Sequence, residues 1–123
     1  MKVLLVEPDI LSASVIERYV AGENTTVMHA STAQKAVQLA DRDTPDLVIL
    51  ELLIADQNGI AFLYELRSHF DWMGIPIIIH THIPSDELSM KPETWIPLGV
   101  IEYLYKPTTS LKKIKNRIQM VLN

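Results

Sequence analysis

Five short apolar runs recur along the chain: VLLV (3–6), TVMHA (26–30), LVIL (47–50), PIIIHT (76–81) and VIEYLY (100–105). They are rich in β-branched residues and continuous rather than alternating, which suits strands buried on both faces, as in a parallel sheet. Helical spacing fills the gaps. In residues 10–21 the apolar positions Ile10, Leu11, Val15, Ile16, Tyr19 and Val20 form one stripe, with Asp9 placed to cap the start and Gly22 where a left-handed residue is wanted. Residues 31–42 offer Ser31 or Thr32 as a cap and an inner face of Ala33, Ala36, Val37, Leu39 and Ala40, stopped by Asp43 to Pro45. Residues 60–69 put Ile60, Leu63, Tyr64 and Leu66 on one side. The last helical stretch turns Leu111, Ile114, Ile118 and either Met120 or Val121–Leu122 inward. Alternation of strand and helix with right-handed crossovers gives an α/β, three-layer, doubly wound sheet.

The fourth helical interval breaks this rhythm. HIPSDELSMKPETWIPL (82–98) contains Pro84, Pro92 and Pro97. A three-turn helix through Pro92 would lose a hydrogen bond and clash with the preceding turn, at about 3 kcal/mol. The expectation is one short turn capped by Ser85, then a second short piece or an irregular loop.

At 123 residues the chain is expected to form a single domain, 1–123, able to bury a core without staples. It has no cysteine, which removes disulfide and thiolate chemistry. The start, MKVLLVEPD, carries too short an apolar run for a signal peptide, and no stretch has the length of a membrane helix. A cytoplasmic protein is the expectation. The net charge of −4 gives no general attraction for nucleic acid or an anionic membrane.

In a doubly wound sheet, sites form at the carboxyl ends of the strands. Four polar groups stand at those ends: Glu7 after VLLV, Glu51 after LVIL, Thr81 after PIIIH and Lys106 after VIEYLY. Two acids, a hydroxyl and an ammonium brought to one crevice have chemical sense.

Those residues carry a resemblance. VLLVEPD resembles the first strand and acidic pair of response-regulator receiver domains, the phosphate-accepting modules of two-component signalling. PDLVILELLIADQNG resembles their acceptor strand and loop, PIIIHT the strand ending in the switch hydroxyl, and LGVIEYLYKP the last strand with its Lys-Pro. The four stand in order and cover essentially the whole chain. The resemblance implies a flavodoxin-like sheet of five parallel strands, order 2-1-3-4-5, with helices on both faces.

It also implies a chemistry. Family members take a phosphoryl group on an aspartate ending the third strand, with Mg²⁺ held by that aspartate, by acids after the first strand and by a backbone carbonyl. The family's lysine corresponds to Lys106, its hydroxyl to Thr81, its switching aromatic to Tyr103 and its usually cis Lys-Pro bond to Lys106–Pro107. The acceptor position holds Glu51, and the acidic pair is Glu7 and Pro8. A glutamate moves the carboxylate by more than about 1 Å, a displacement to which reactive geometry is sensitive. Pro8 removes a carboxylate that Mg²⁺ normally uses. The resemblance therefore implies an atypical, pseudo-receiver subtype: a degenerate pocket with weak or absent Mg²⁺ binding, no catalysis and a protein-interaction role. Glu51 facing Lys106 is read either as an imitation of the phosphorylated state or as a plain buried ion pair. The alternative is an active acceptor using Glu51 or a neighbour such as Asp56 with Mg²⁺.

In this family the fourth helix, fifth strand and fifth helix commonly form the surface for partners or dimerisation. The prolines and Trp95 rewrite that surface here, so a changed partner, another signalling protein or a fused output domain, or a changed homodimer is implied. Trp95 is favoured as a partner contact because large aromatics are favoured at interfaces. His80 and His82 share a strand face but lack a third ligand at a recognisable spacing, so no metal site is assigned. Lys112, Lys113, Lys115 and Arg117 read as the solvated face of the last helix, and no nucleic acid is expected to bind this domain.

Overall fold

The computed structural model describes residues 1–88 and 91–122, Leu122 by its backbone alone. Five strands, β1 (Lys2–Val6), β2 (Thr26–Ala30), β3 (Leu47–Leu50), β4 (Ile77–Thr81) and β5 (Val100–Tyr105), alternate with α1 (Ile10–Val20), α2 (Ala33–Arg42), α3 (Gly59–Ser68), α4 (Pro92–Trp95) and α5 (Leu111–Leu122). All strand pairs are parallel, in the order β2-β1-β3-β4-β5. This is the flavodoxin-like arrangement, with helices on both faces.

The continuous apolar runs follow from that double cover. Leu4, Val6, Val48, Leu50, Ile77 and Ile79 face a core closed by α2 and α3, with side chains from the α4 region against it. Val3, Leu5, Leu47, Ile49, Ile78 and Leu104 face a second core closed by α1 and α5. Period-two alternation thus sends apolar side chains into both layers, until His80 and Thr81 end β4 with buried polar groups. At β5 one extra residue enters the ladder: Ile77 pairs with Val100, but Ile78 pairs with Glu102. The bulge leaves Ile101 exposed and puts Val100 and Tyr103 into the same core.

The helix starts are capped as their sequences suggest. The Asp9 carboxylate accepts from Leu11 N–H (2.9 Å) and Ser12 N–H (3.2 Å), and Thr32, not Ser31, caps α2 through Lys35 N–H at 3.1 Å. Asn58 caps α3 at Ile60 and Ala61. Gly22 is not left-handed: α1 ends on Ala21 in an extended conformation, and the sole positive-φ glycine among the described residues is Gly99.

Several inner faces differ from the sequence expectation. α1 buries Ala13, Ile16 and Val20, while Ile10, Leu11, Val15 and Tyr19 remain exposed. The small Ala13 faces the sheet, so the sheet takes one edge of the stripe and the rest looks along the surface toward α5. The Tyr19 ring is instead met by the Lys115 ammonium, 5.4 Å from its centroid. In α3, Phe62 is buried and Tyr64 exposed, because the stripe that meets the sheet runs Gly59, Phe62, Leu63, Leu66. Met120 is exposed and Val121 packs on the α1/α5 core. The Lys106–Pro107 bond is trans: the described chain has no cis peptide bond, and Pro107 sits in a 3₁₀ turn, Lys106–Thr108, closed by Thr109 N–H on the Lys106 carbonyl at 3.2 Å.

The fourth interval is broken as its prolines require. A 3₁₀ turn, Ser85–Leu88, is followed by the single turn of α4 with Pro92 at its start, then a 3₁₀ turn, Ile96–Leu98, that ends on left-handed Gly99.

Gly59 decides how close α3 comes to the third strand's exit. A Cβ on it would lie 2.4 Å from the Leu52 Cα and carbonyl oxygen. Gly59 N–H also donates to that carbonyl at 3.2 Å. Gly59→Ala therefore forces backbone apart beside Glu51 and is expected to cost about 1–3 kcal/mol in urea unfolding. An unchanged midpoint would mean that the loop gives way freely.

Candidate functional site

Strands β1 and β3 end side by side, and the backbone carries both acids to the same level. Glu7 N–H donates to the Ala30 carbonyl and Glu51 N–H to the Val6 carbonyl, each at 2.9 Å. The two side chains are almost fully buried, at 1% and 3% exposed. Lys106 enters from the end of β5 and its Nζ lies 2.5 Å from Glu7 Oε1 and 2.8 Å from Glu51 Oε1. One ammonium thus bridges two carboxylates.

The second oxygen of each acid is also held. Glu7 Oε2 accepts from Asp9 N–H at 3.2 Å, and Glu51 Oε2 accepts from Leu53 N–H at 3.1 Å. Burial pushes the Glu51 pKa up, but hydrogen bonds from Lys106, Thr81 and Leu53 N–H and the Lys106 charge outweigh it, and the net shift is down. Burial likewise pulls the Lys106 pKa down, and the two glutamates more than restore it, so it stands above its ordinary value. Glu51 and Lys106 are therefore both charged at neutral pH. His82, largely exposed, approaches Glu51 Oε1 with Nδ1 at 3.8 Å.

Beyond Thr81, whose Oγ1 accepts from Ile83 N–H at 3.3 Å, the chain is anchored by an aromatic pair. The Tyr103 hydroxyl donates to the Ile83 carbonyl at 2.7 Å. Trp95 stacks on the Tyr103 ring, with centroids 5.2 Å apart and planes 23° apart. Burial, with the charges of Glu51, Glu87 and Asp86, raises the Tyr103 pKa to about 12, so the phenol stays a donor.

Glu7, Glu51, Thr81 and Lys106 therefore meet at one place, with Pro8 beside Glu7 and Pro107 beside Lys106 in the turn that follows β5. Tyr103 and Trp95 pack against each other on the α2–α4 side rather than standing free. Asp56 is elsewhere: its two oxygens accept from Ala33 N–H (2.9 Å) and Gln34 N–H (3.1 Å), a second cap on α2 that ties down the loop after Glu51. Sequence reasoning missed this cap, the approach of His82 to Glu51 and the bond from the His29 ring to the Glu7 carbonyl (2.8 Å). Each joins residues more than twenty positions apart, and no local spacing signals it.

The geometry and the comparisons converge. The model of the response regulator receiver domain family matches residues 3–119. The chain is similar to the regulatory protein VanR of Enterococcus faecium, 27% identical over 113 residues covering 92% of this chain and 46% of that protein. It is also similar to the transcriptional regulatory protein CiaR of Streptococcus pneumoniae, 32% identical over 123 residues covering 99% and 51%. It spans about half the length of the curated relatives it matches. Among solved structures, the BeF3-activated N-terminal receiver domain of RstA from Klebsiella pneumoniae superposes with a TM-score of 0.83, at 25% identity over 100% of this chain and 99% of that one. The CheY-like receiver domain protein of Methanospirillum hungatei shares the fold, with a TM-score of 0.84 at 20% identity, covering 98% and 92%. The chain belongs to the response regulator receiver domain family, the signalling module that its strand-end residues resemble.

Proposed function

We propose that this receiver domain works as a protein-interaction module without accepting a phosphoryl group. The observation that carries the reading is the Lys106 ammonium bridging Glu7 and Glu51. The carboxylate at the acceptor position is already neutralised, hydrogen-bonded on both oxygens and almost fully buried, so it makes a poor nucleophile.

The residues present do not fit a magnesium ion. Mg²⁺ asks for carboxylate oxygens in near-ideal octahedral geometry. Glu7 and Glu51 both spend an oxygen on Lys106, Pro8 offers none, and the Asp9 and Asp56 carboxylates are committed to the starts of α1 and α2. We therefore assign the domain no metal and no catalytic step. Glu51 on Lys106 supplies a standing contact where a family member would gain one on phosphorylation.

The output lies in a partner. Relatives roughly twice as long are named regulatory and transcriptional regulatory proteins, which favours a fused output domain or a separate signalling protein acting with this one. Lys112 and Lys113 stand on the exposed side of α5, while Arg117 lies 3.6 Å from Glu102 on β5. The Glu102 contact engages one cation of the α5 row within the domain, and among the described residues no helix is long and apolar enough to cross a membrane.

The test is acetyl phosphate with Mg²⁺, followed by intact mass and amide-resolved NMR. The expected result is no phosphoryl adduct and no saturable Mg²⁺ shifts at Glu7, Glu51 or Lys106. The Pro8→Asp/Glu51→Asp variant, which restores the family's acids, serves as the positive control. A wild-type adduct that needs Mg²⁺ would overturn the reading and make Glu51 a working acceptor.

A further inference from the structure

β4 sends Ile78 into the α1/α5 core, and two residues later the same face carries His80. His80 is only 7% exposed, and no hydrogen bond joins its ring to another of the described residues. The one fully enclosed, unpartnered side-chain nitrogen among those residues is Arg67 Nε, so the His80 nitrogens open onto space. That space is a cleft of about 390 Å³ between α1 and α5. Its walls are Leu11, Val15 and Ile16 from one helix and Leu111 and Ile114 from the other. Leu11, 79% exposed, and Val15 are the apolar side chains that the sheet leaves uncovered.

We propose that the α1/α5 cleft binds a small, uncharged, largely apolar molecule carrying one hydroxyl or carbonyl, which His80 anchors by a hydrogen bond. The His80 nitrogens open to the cleft and are free to take a ligand hydrogen bond, and a largely apolar cleft with a few polar groups, here His80 with Ser12, His82, Lys106 and Thr109, is the usual form of a small-ligand site. The volume lies in the range of such sites. Burial, then the neighbouring Lys106 ammonium, lower the His80 pKa to about 4, so the ring is neutral at neutral pH and offers one donor and one acceptor. An anion finds the Lys106 ammonium already engaged by Glu7 and Glu51. A cation would meet Lys106 at the cleft wall. The cleft shares Lys106 with the strand-end pocket, but its anchor His80 and its apolar walls make no contact with Glu51, so ligand binding is read separately from phosphate acceptance.

The experiment titrates the isotope-labelled chain with 4-ethylphenol and, separately, with ethylbenzene, which lacks the hydroxyl, without Mg²⁺ or acetyl phosphate. Saturable shifts are expected at Leu11, Val15, Leu111, Ile114 and the His80 ring. The phenol should bind roughly five- to tenfold more tightly than the hydrocarbon, as one hydrogen bond provides. His80→Leu, which keeps the site apolar and the core filled, should erase that preference while ethylbenzene still binds. Val15→Glu, at an exposed wall position, should weaken both probes. Absence of saturation with either probe would overturn the proposal and leave the cleft to a protein side chain. Equal binding of the two probes to the wild type, or a preference that survives His80→Leu, would overturn the role of His80.

Discussion

Lys106→Met is expected to lower the unfolding free energy by about 3–5 kcal/mol at neutral pH, because it strands two buried carboxylates against each other. For a domain of this size that is a fall in melting temperature of at least roughly 10 °C. The variant's pH response separates this cause from mere loss of packing. In the wild type the folded Glu51 pKa is depressed, so its stabilisation is present above the unfolded carboxylate value, about 4.3, and is lost as pH falls through the folded one. Without the ammonium, burial dominates and the same carboxylate favours its protonated form. The deficit should therefore shrink as pH falls. Lys106 works in the other direction: its raised pKa contributes stability that is fully present below about 10.4 and lost as pH rises through the folded value. Adding Glu7→Gln and Glu51→Gln to Lys106→Met should recover most of the loss, since removing a whole buried ionic cluster is often close to neutral. A single variant with wild-type melting temperature at every pH would refute the buried bridge as a structural element, and with it the main support for a closed acceptor pocket.

The second large effect belongs to His80. Its folded pKa of about 4 lies below the ordinary histidine value of about 6.5. The sign is that of a depressed group: stability is intact above about pH 6.5 and falls as pH drops toward 4, because the unfolded chain takes up a proton that the folded one refuses. The groups setting that refusal are burial first, then the Lys106 charge, partly offset by Glu51, with His82 adding to it. Integrated over the window, the loss is about 3 kcal/mol. Chemical denaturation at a series of pH values should show this slope in the wild type and a flat line in His80→Leu down to about pH 4. Below that, Glu51 and the helix-capping Asp9 and Asp56, all with lowered pKa values, take over in both proteins. A slope that persists in His80→Leu would assign the titration to another histidine.

Both effects sit at the carboxyl end of the sheet: Lys106 bridges Glu7 and Glu51, and the buried His80 faces the α1/α5 side of the sheet while Tyr103 and Trp95 stack on the other. Glu51→Gln and Glu51→Asp, tested for affinity to the partner once it is identified, would separate a signalling charge at this position from a merely structural one.

The layers, the parallel strands and the strand-end residues could be read from the amino-acid order. Runs such as LVIL, apolar at every position, are stable only between two covered faces, and alternation with helices leaves a doubly wound sheet as the economical solution. Glu7, Glu51, Thr81 and Lys106 were legible for the same reason, since residues that end parallel strands are delivered to one edge whatever lies between them. The broken fourth helix was legible because proline acts locally. Other features depend on how elements lie across one another in the folded chain. The stripe on α1 is wide enough for two packings, and the sheet chose Ala13, Ile16 and Val20, leaving Leu11 and Val15 to line a cleft. The bulge opposite Ile77–Ile78 turned Tyr103 into the same core as Val100, where Trp95 and the Ile83 carbonyl could hold it. Asp56 caps a helix more than twenty residues earlier in the chain. Contacts of this kind are set by distances between segments remote in sequence, and hydrophobic periodicity, which reports only a residue's relation to its own helix or strand, carries no record of them.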